Sequence, residues 1–370
     1  MFRCSSRVQS ISSVAVPSLP PWRQVYLPPS RCLALYGAYD ALAVGTDGHV
    51  ALATSSLTTD VWDGVVQVLR LDGASAEVTA QIPTPSGNAD IVWVTTEAIA
   101  AAGDDGVVYI HTLPPPGAVV HGVVPPVRLT EHTDAVTCVG VSPDAMRLAS
   151  GSLDGLVKVW DAAAGQAAAT RTLEHTRRES YCANQAHALL WTGEQTLATA
   201  AADGVLRHWD LRAPPAQLLA SRCAAEQGAA LTSLCATGDA AQVAVGTEAG
   251  AVLIVDSRQA AKGPVHRTQP HSAPVCALAL AAPGGAGTAA PDASSASTRR
   301  IASGSDDSSI ALHSARDLSC LATLPPAHGD FVRALGWLTP PTQPGGGGGG
   351  GAVLLSGGWD KRLVTHSLPL

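Results

Sequence analysis

A turn of the Asp-Gly type followed by a short apolar stretch recurs seven times along the 370-residue chain. Successive turns start 42 to 58 residues apart, and each repeat is long enough to hold several short strands. A repeat of this period indicates small sheets placed side by side around a common axis. The turns begin at Asp63, Asp105, Asp154, Asp203, Ala249, Asp307 and Asp360.

The residues around these turns alternate in the manner of β-strands. Residues 146–152 and 156–161 flank the pair Asp154-Gly155, and the same frame recurs at residues 197–210 and, more loosely, at 301–307. Asp-Gly between two alternating runs is a strong signal for a β-hairpin. The 3.6-residue periodicity of an amphipathic helix does not occur in the sequence. We therefore predict an all-β fold, a seven-bladed β-propeller over residues 31–370.

Residues 1–30 are predicted to precede the propeller as a disordered tail rich in proline and serine. Residues 1–39 contain four Arg, seven Ser and neither Asp nor Glu, so an organelle transit peptide is the alternative for this segment. A closed ring needs a strand from one end of the chain to complete the sheet at the other end. Residues 32–36 are the predicted closing strand.

Two low-complexity segments lie in the longest intervals between turns. Residues 283–298 are rich in Ala, Gly, Ser and Thr, and residues 345–351 are all glycine. We expect flexible loops between blade strands, because doubling the length of a surface loop costs only about 0.6 kcal/mol. The glycine run lacks the Lys-Ser/Thr pair that follows in a phosphate-binding loop.

Composition excludes several classes of function. The net charge of −7, without a cluster of Lys or Arg, argues against nucleic-acid binding, and apolar runs too short to cross a bilayer predict a soluble chain. Eight cysteines without a CxxC pair give no sign of a metal or redox site, and we predict no cofactor. The motifs of serine hydrolases, zinc peptidases and P-loop enzymes do not occur in the sequence, so we predict no enzyme activity.

Two repeats end in Trp-Asp, and four histidines stand upstream of turns, at 132, 175, 271 and 328. These features resemble the WD-repeat family of propellers. In that family an upstream His, a Ser or Thr of the second strand, the turn Asp and the Trp form a buried hydrogen-bonded set. The resemblance gives this set a structural role in the third blade, because buried polar groups stabilise only when they are paired. Its members there are His132, Ser150, Asp154 and Trp160.

Some repeats depart from the family pattern. Ala249 replaces the turn Asp, and the Trp-Asp pair is replaced at residues 254–257, 312–314 and 365–367. We expect the blades that lack the pattern to depend on packing alone.

Stretches outside the repeat motif resemble the WD-repeat subunits of methylosomes, from about residue 32 to the C-terminus. They are residues 55–57 with Trp62 and Gly64, residues 89–94, residues 328–333 with Trp337, and residues 358–360. The resemblance implies a non-catalytic scaffold that binds the protein arginine methyltransferase of the symmetric-dimethylating type. It also implies that the scaffold helps to present Arg-rich substrates such as histones and Sm proteins, in the cytoplasm and the nucleus.

Trp62 is the predicted centre of the partner contact, together with Asp60 and Val61 in the same polar stretch. The family places its methyltransferase-inserting Trp at this position, and tryptophans are typical hot spots of interfaces. The alternative is that Trp62 packs on its own sheet. Phe331 and Arg333 are further contact candidates; alternatively, Phe331 packs between blades and Arg333 faces solvent.

Two other functions stay open at this point. One is a different WD-repeat adaptor, such as a chromatin-complex subunit or a substrate receptor of a ubiquitin ligase, whose Trp-Asp-x-Arg pattern residues 209–212 match. The other is an enzyme or small-ligand site in the propeller channel, since propellers can host catalysis without a linear motif.

Overall fold

The chain folds into seven four-stranded antiparallel sheets. The computed structural model describes residues 23–26, 38–58, 61–72, 75–113, 124–162, 168–175, 185–212, 217–221, 229–281, 299–338 and 352–367. Within them lie 28 strands and a short 3-10 helix, Ser257–Lys262. No helix in these described ranges is long and apolar enough to cross a membrane. The prediction of a seven-bladed all-β propeller is confirmed.

Each blade takes four strands, and in blades 1 to 6 they are consecutive in the chain. Blade 1 contains β2 (Ala38–Val44), β3 (His49–Thr58), β4 (Val61–Asp72) and β5 (Ser75–Thr84). Blade 2 contains β6 (Asn88–Thr95), β7 (Ala98–Gly103), β8 (Val108–Thr112) and β9 (Val127–Leu129). Blade 3 contains β10 (Val136–Val141), β11 (Arg147–Ser152), β12 (Leu156–Asp161) and β13 (Arg171–Glu174).

The remaining blades repeat this arrangement. Blade 4 contains β14 (Ala186–Gly193), β15 (Thr196–Ala201), β16 (Leu206–Asp210) and β17 (Gln217–Ser221). Blade 5 contains β18 (Leu231–Ala236), β19 (Gln242–Thr247), β20 (Val252–Asp256) and β21 (His266–Thr268). Blade 6 contains β22 (Val275–Leu280), β23 (Arg300–Ser305), β24 (Ile310–Ser314) and β25 (Cys320–Thr323). Blade 7 contains β26 (Val332–Leu338), β27 (Val353–Gly358), β28 (Leu363–Ser367) and β1 (Arg23–Tyr26).

The closing strand is β1, which pairs with β28, and the prediction of residues 32–36 for this strand is wrong. Residues 32–36 lie outside the described ranges. From the outer edge of blade 7 the chain must return to β2 beside the axis, across about three strand spacings of ~4.8 Å each. A strand ending at residue 36 would leave one residue for this path, whereas Tyr26 leaves eleven. The propeller therefore begins upstream of residue 31.

The second strand is deeply buried in every blade. In blades 2 to 7 every residue of this strand after the first is buried. Both faces of the strand lie against neighbouring blades, so small residues are required for close approach, as in the run of alanines in β7. This packing accounts for the large share of alanine in the sequence.

The first strands line up around the axis, and β26 contacts β2 to close the ring. Each first strand has one residue near its start that is left out of the pairing with the second strand, a β-bulge at the same position in every blade. We call these the bulge residues. They are Asp40, Ala89, Thr137, His187, Thr232, Cys276 and Arg333.

In blades 3 to 5 the bulge residues link each blade to the next. Thr137 Oγ1 donates to the carbonyl of Ala186 at 2.5 Å, and Thr232 Oγ1 donates to that of Val275 at 2.7 Å. His187 Nδ1 lies 3.1 Å from the carbonyl of Leu231, which can only accept, so Nδ1 carries a proton.

Further links between blades involve the second half of the first strand. Tryptophan indoles donate to first-strand carbonyls of the preceding blade at 3.0 to 3.1 Å. These pairs are Trp93 to Ala43, Trp191 to Gly140 and Trp337 to Ala279. Between blades 2 and 3 the Asp90 carboxylate accepts the backbone N–H of Val139 at 2.9 Å, and burial raises the pKa of Asp90 to about 6.

In blade 1 the predicted turn at Asp63 is wrong. Asp63 pairs with Ser56 inside a hairpin whose strands continue to Thr58 and Val61. The additional residues are mainly β-branched or aromatic, which favours a longer ladder. Blade 1 therefore projects its hairpin further than any other blade in the described residues.

The four side chains of the set predicted in blade 3 lie together in the core. His132 Nε2 lies 2.8 Å from Ser150 Oγ and His132 Nδ1 lies 2.9 Å from an oxygen of Asp154. Trp160 Nε1 donates to Ser150 Oγ at 2.9 Å. Ser150 thus satisfies two buried ring nitrogens at once.

Blades 6 and 7 keep this set with a second histidine in the place of Trp. His313 Nε2 lies 3.1 Å from Ser303 Oγ, and His366 Nε2 lies 2.8 Å from Ser356 Oγ. The upstream His271 and His328 contact the same serines at 2.8 Å. The expectation that these two blades depend on packing alone is therefore wrong.

We predict that Ser150→Ala lowers the free energy of unfolding by about 2 to 3 kcal/mol, because it leaves the Trp160 N–H and His132 Nε2 without their buried partner. Urea titration followed by circular dichroism measures this. Ser319→Ala, in an exposed turn, is the control and should change stability by less than about 0.5 kcal/mol. Equal effects of the two substitutions would contradict the role of the set.

A second prediction concerns pH. Burial raises the pKa of Asp90 from 3.8 to about 6, so the folded state binds a proton at Asp90 more tightly than the unfolded state does. The proton therefore stabilises the fold fully below pH 3.8, and this stabilisation is lost as the pH rises through about 6. Asp90→Asn keeps an acceptor for Val139 without the buried charge. The variant should be more stable than the wild type at pH 7, and this advantage should shrink at pH 5. If the stability difference between Asp90→Asn and the wild type is the same at pH 5 and pH 7, the raised pKa of Asp90 is wrong.

Candidate functional site

Two tryptophans are exposed on one face of the ring, the face that carries the turns between second and third strands. Trp62 lies in the projecting hairpin of blade 1 and is 46% exposed, and Leu57 pairs with it at 65% exposure. Trp359 lies in the corresponding turn of blade 7 and is 38% exposed. Blades 7 and 1 are neighbours across the ring closure. We call Leu57, Trp62, Phe331 and Trp359 the aromatic face.

Trp62 reaches across to blade 2 and does not pack solely on its own sheet. Its Nε1 donates to Asp104 Oδ2 at 2.5 Å, and Asp104 lies in the turn between β7 and β8. Gly87 forms the floor beneath the indole, where a Cβ would overlap both Trp62 Nε1 and the Asp104 carboxylate. Val61 begins β4, and Asp60 lies outside the described residues.

Phe331, Trp359 and Arg333 form a cluster in blade 7. The two aromatic rings lie 5.2 Å apart at an angle of 48°, and Arg333 Cζ is 5.6 Å from the Phe331 ring and 5.2 Å from the Trp359 ring. Arg333 also pairs with the Asp306 carboxylate of blade 6, at 2.8 Å from Nε to Oδ1 and from Nη2 to Oδ2. The guanidinium is therefore held by aromatic rings and a carboxylate, while 34% of the Arg333 side chain stays exposed to solvent.

Asp40 connects the two ends of the aromatic face. Trp359 Nε1 donates to Asp40 Oδ1 at 2.9 Å. Burial raises the pKa of Asp40 to about 6, although contacts with Ser55 and Trp359 lower it in part. Ser55 Oγ in turn accepts the backbone N–H of Asn88, the neighbour of Gly87. Three contacts therefore connect blades 2, 1, 7 and 6 in turn: the Trp62–Asp104 and Trp359–Asp40 hydrogen bonds, and Arg333, which contacts the Trp359 ring and pairs with Asp306.

Asp104, Asp306 and Trp359 were not sequence candidates, yet they share one position. Each directly precedes the turn residue of its repeat, at Asp105, Asp307 and Asp360. In blades 3 and 4 this position holds Leu153 and Ala202, which have no polar side chain. Blade 5 also has a carboxylate at this position, Glu248, so the position alone does not identify the face, and the partner in the next blade is visible only in three dimensions.

The site offers contact chemistry and little reactive chemistry. Burial raises the pKa of Cys276, next to Asp306, to about 12, and that of Cys138 and Cys235 likewise, so these thiols stay protonated near neutral pH. Among the residues that the structure describes, no group of three His, Cys, Asp or Glu is placed to hold a metal ion. The side chains of His132, Ser150, Asp154 and Trp160 are buried in blade 3, away from the aromatic face of blades 1 and 7.

Arg212, the distinctive residue of the Trp-Asp-x-Arg match, folds back on its own repeat. Its Nε lies 2.9 Å and its Nη2 2.6 Å from oxygens of Asp210. The guanidinium is therefore already paired within the chain.

A family model described as "WD domain, G-beta repeat" matches residues 124–161. The match covers the last strand of blade 2 and the first three strands of blade 3. The repeat is therefore offset by one strand from the blade, the same offset that places β1 in blade 7.

Relatives were found over most of the chain and over smaller parts of it. Methylosome protein WDR77 of Xenopus laevis is 27% identical over 333 residues, which cover 87% of each chain. Coronin-7 of Rattus norvegicus is 30% identical over 162 residues, 42% of this chain and 17% of that protein. The ribosome biogenesis protein WDR12 homolog of Drosophila mojavensis is 39% identical over 88 residues, 22% of this chain and 21% of that protein. The last two similarities cover only a small part of those relatives.

The family match, these relatives and the closed ring of sheets all point to the same fold. The repeat that the family model matches is one of seven with the same strand order, and the buried set of His, Ser, Asp and Trp lies within it. The chain has the fold of a seven-bladed WD-repeat β-propeller.

Proposed function

We propose that the chain is a non-catalytic scaffold that binds a protein arginine methyltransferase of the symmetric-dimethylating type through its aromatic face. The observation that carries the proposal is the exposed, fixed Trp62 on the projecting hairpin of blade 1. The similarity to a methylosome protein over 87% of both chains supports the choice of partner.

The energetics of Trp62 favour a docking role. A large aromatic side chain contributes strongly when its remaining surface is covered by a partner. The indole is already held by Asp104, so little rotamer entropy is lost on binding. Leu57 beside it adds apolar area on the same hairpin.

The charge of the face supports basic ligands. Asp40 and Asp104 lie at the aromatic face, and the chain as a whole has a net charge of −7. Carboxylates beside exposed aromatic rings attract cationic side chains. In our proposal the scaffold helps to present Arg-rich substrates, such as histones and Sm proteins, to the bound methyltransferase.

The alternative of a ubiquitin-ligase receptor has less support. Its distinctive residue, Arg212, is paired with Asp210, and a guanidinium that is already paired gains less from a new acidic partner. The methyltransferase scaffold therefore stays the leading proposal.

The proposed function includes a location in both the cytoplasm and the nucleus. Imaging of the tagged chain tests this location, and accumulation in an organelle would favour a transit peptide in residues 1–39.

We predict that Trp62→Ala weakens binding of the purified methyltransferase by about 2 kcal/mol or more, about thirtyfold in Kd, because the anchoring side chain is lost. Isothermal titration calorimetry measures the affinity, and circular dichroism confirms that the fold is retained. Met146→Ala is the control, because Met146 is 53% exposed but lies between the first and second strands of blade 3, on the opposite face.

Two results would contradict the proposal. One is a folded wild-type protein that shows no binding to the methyltransferase. The other is a Trp62→Ala variant whose Kd equals that of Met146→Ala. Methyl transfer by the isolated chain would instead support an enzyme.

A further inference from the structure

The orientation of Trp62 is set by blade 2. Among the described residues, Asp104 has the only side chain that forms a hydrogen bond with the Trp62 indole. The backbone N–H of Asp104 donates to the carbonyl of Gly87 at 3.0 Å, which holds the carboxylate directly beside the glycine floor. The N–H edge of the indole is therefore held by residues outside its own hairpin.

Asp104 is not needed to form the turn in which it lies. Its neighbour Asp105 accepts the backbone N–H of Val107 at 3.2 Å and the Tyr109 hydroxyl at 2.5 Å. Gly106, with a φ of 81°, provides the left-handed residue of the turn. The carboxylate of Asp104 is thus available for Trp62, and its removal leaves the contacts of the turn in place.

We propose that Asp104 is a positioning residue that holds Trp62 in the orientation required for docking, so that the affinity for the partner depends on blade 2 as well as on Trp62 itself. This inference rests on the proposed function. It deepens that function, because it defines what the partner presents to Trp62. The indole N–H is already used by Asp104, so the partner covers the ring with an apolar or cationic group and supplies no hydrogen-bond acceptor to it.

Two substitutions separate positioning from charge. Asp104→Ala removes the acceptor, whereas Asp104→Asn keeps an oxygen that can accept the indole N–H but removes the charge. We expect Asp104→Ala to weaken binding of the purified methyltransferase about three- to tenfold, the usual cost of ordering one large side chain on binding. Asp104→Asn should recover most of this loss.

A spectroscopic measurement follows the indole directly. The chain has eight tryptophans, and the 1H–15N resonance of the Trp62 indole is identified by its loss in Trp62→Phe. In Asp104→Ala this resonance should move and its N–H should exchange with solvent faster than in the wild type. In Asp104→Asn it should stay close to the wild-type position. Gly87→Ala, which fills the floor beneath the ring, should also displace it.

The outcomes distinguish this inference from the proposed function. If Trp62→Ala loses binding but Asp104→Ala binds like the wild type, the positioning role is wrong and the proposed function stands. If Asp104→Asn loses as much as Asp104→Ala, charge is responsible and positioning is overturned. If the wild type does not bind the methyltransferase, both proposals fail, and the indole resonance then shows only whether Asp104 orders Trp62.

Discussion

The bulge at the start of each first strand is the constraint on which both the ring and its functional face depend. A bulge turns one side chain out of the ladder at the same height in every blade. In blades 3 to 5 that side chain bonds the backbone of the next blade, as Thr137 and Thr232 do. In blades 1 and 7 the same position holds Asp40 and Arg333, which bond side chains at the aromatic face. One backbone feature therefore links neighbouring blades on one side of the ring and supports the proposed docking face on the other.

Contacts between blades also hold the exposed aromatic residues of this propeller in place. Trp62 and Trp359 are each bonded through Nε1 to a carboxylate of a neighbouring blade, Asp104 and Asp40. An exposed indole without such a bond would sample several rotamers and lose that freedom on binding. The aromatic face is thus ordered in the free chain, and its order depends on contacts between blades. Under the proposed docking role, disturbing a junction between blades would therefore weaken binding without any change in the exposed residues.

The sequence predicts the features that are local and fails where distant segments meet. The hairpins, the number of sheets and the members of the blade 3 set all follow from short patterns such as Asp154-Gly155. The closing strand does not, because many segments pair equally well and only the path back to β2 excludes residues 32–36. The length of the blade 1 hairpin was missed because Asp63-Gly64 looks like a turn, although the strands on both sides continue the ladder. The role assigned to Trp62 rests on resemblance, whereas its bond to Asp104 required coordinates.

The histidine that replaces Trp in blade 7 shows why a departure from the family pattern is tolerated next to the functional face. Ser356 Oγ has one proton and lies within 2.8 Å of both His328 Nε2 and His366 Nε2, so it donates to one ring and accepts from the other. His328 Nδ1 donates to the Asp360 carboxylate at 3.0 Å, so hydrogen bonds connect His366 through Ser356 and His328 to Asp360. Burial lowers the pKa of His366 to about 4 and keeps its ring neutral near pH 7. These hydrogen bonds end at Asp360, the residue directly after Trp359. The buried set thus fixes the turn that presents the exposed indole, and the smaller ring of His366 reaches the serine of its blade as Trp160 does in blade 3.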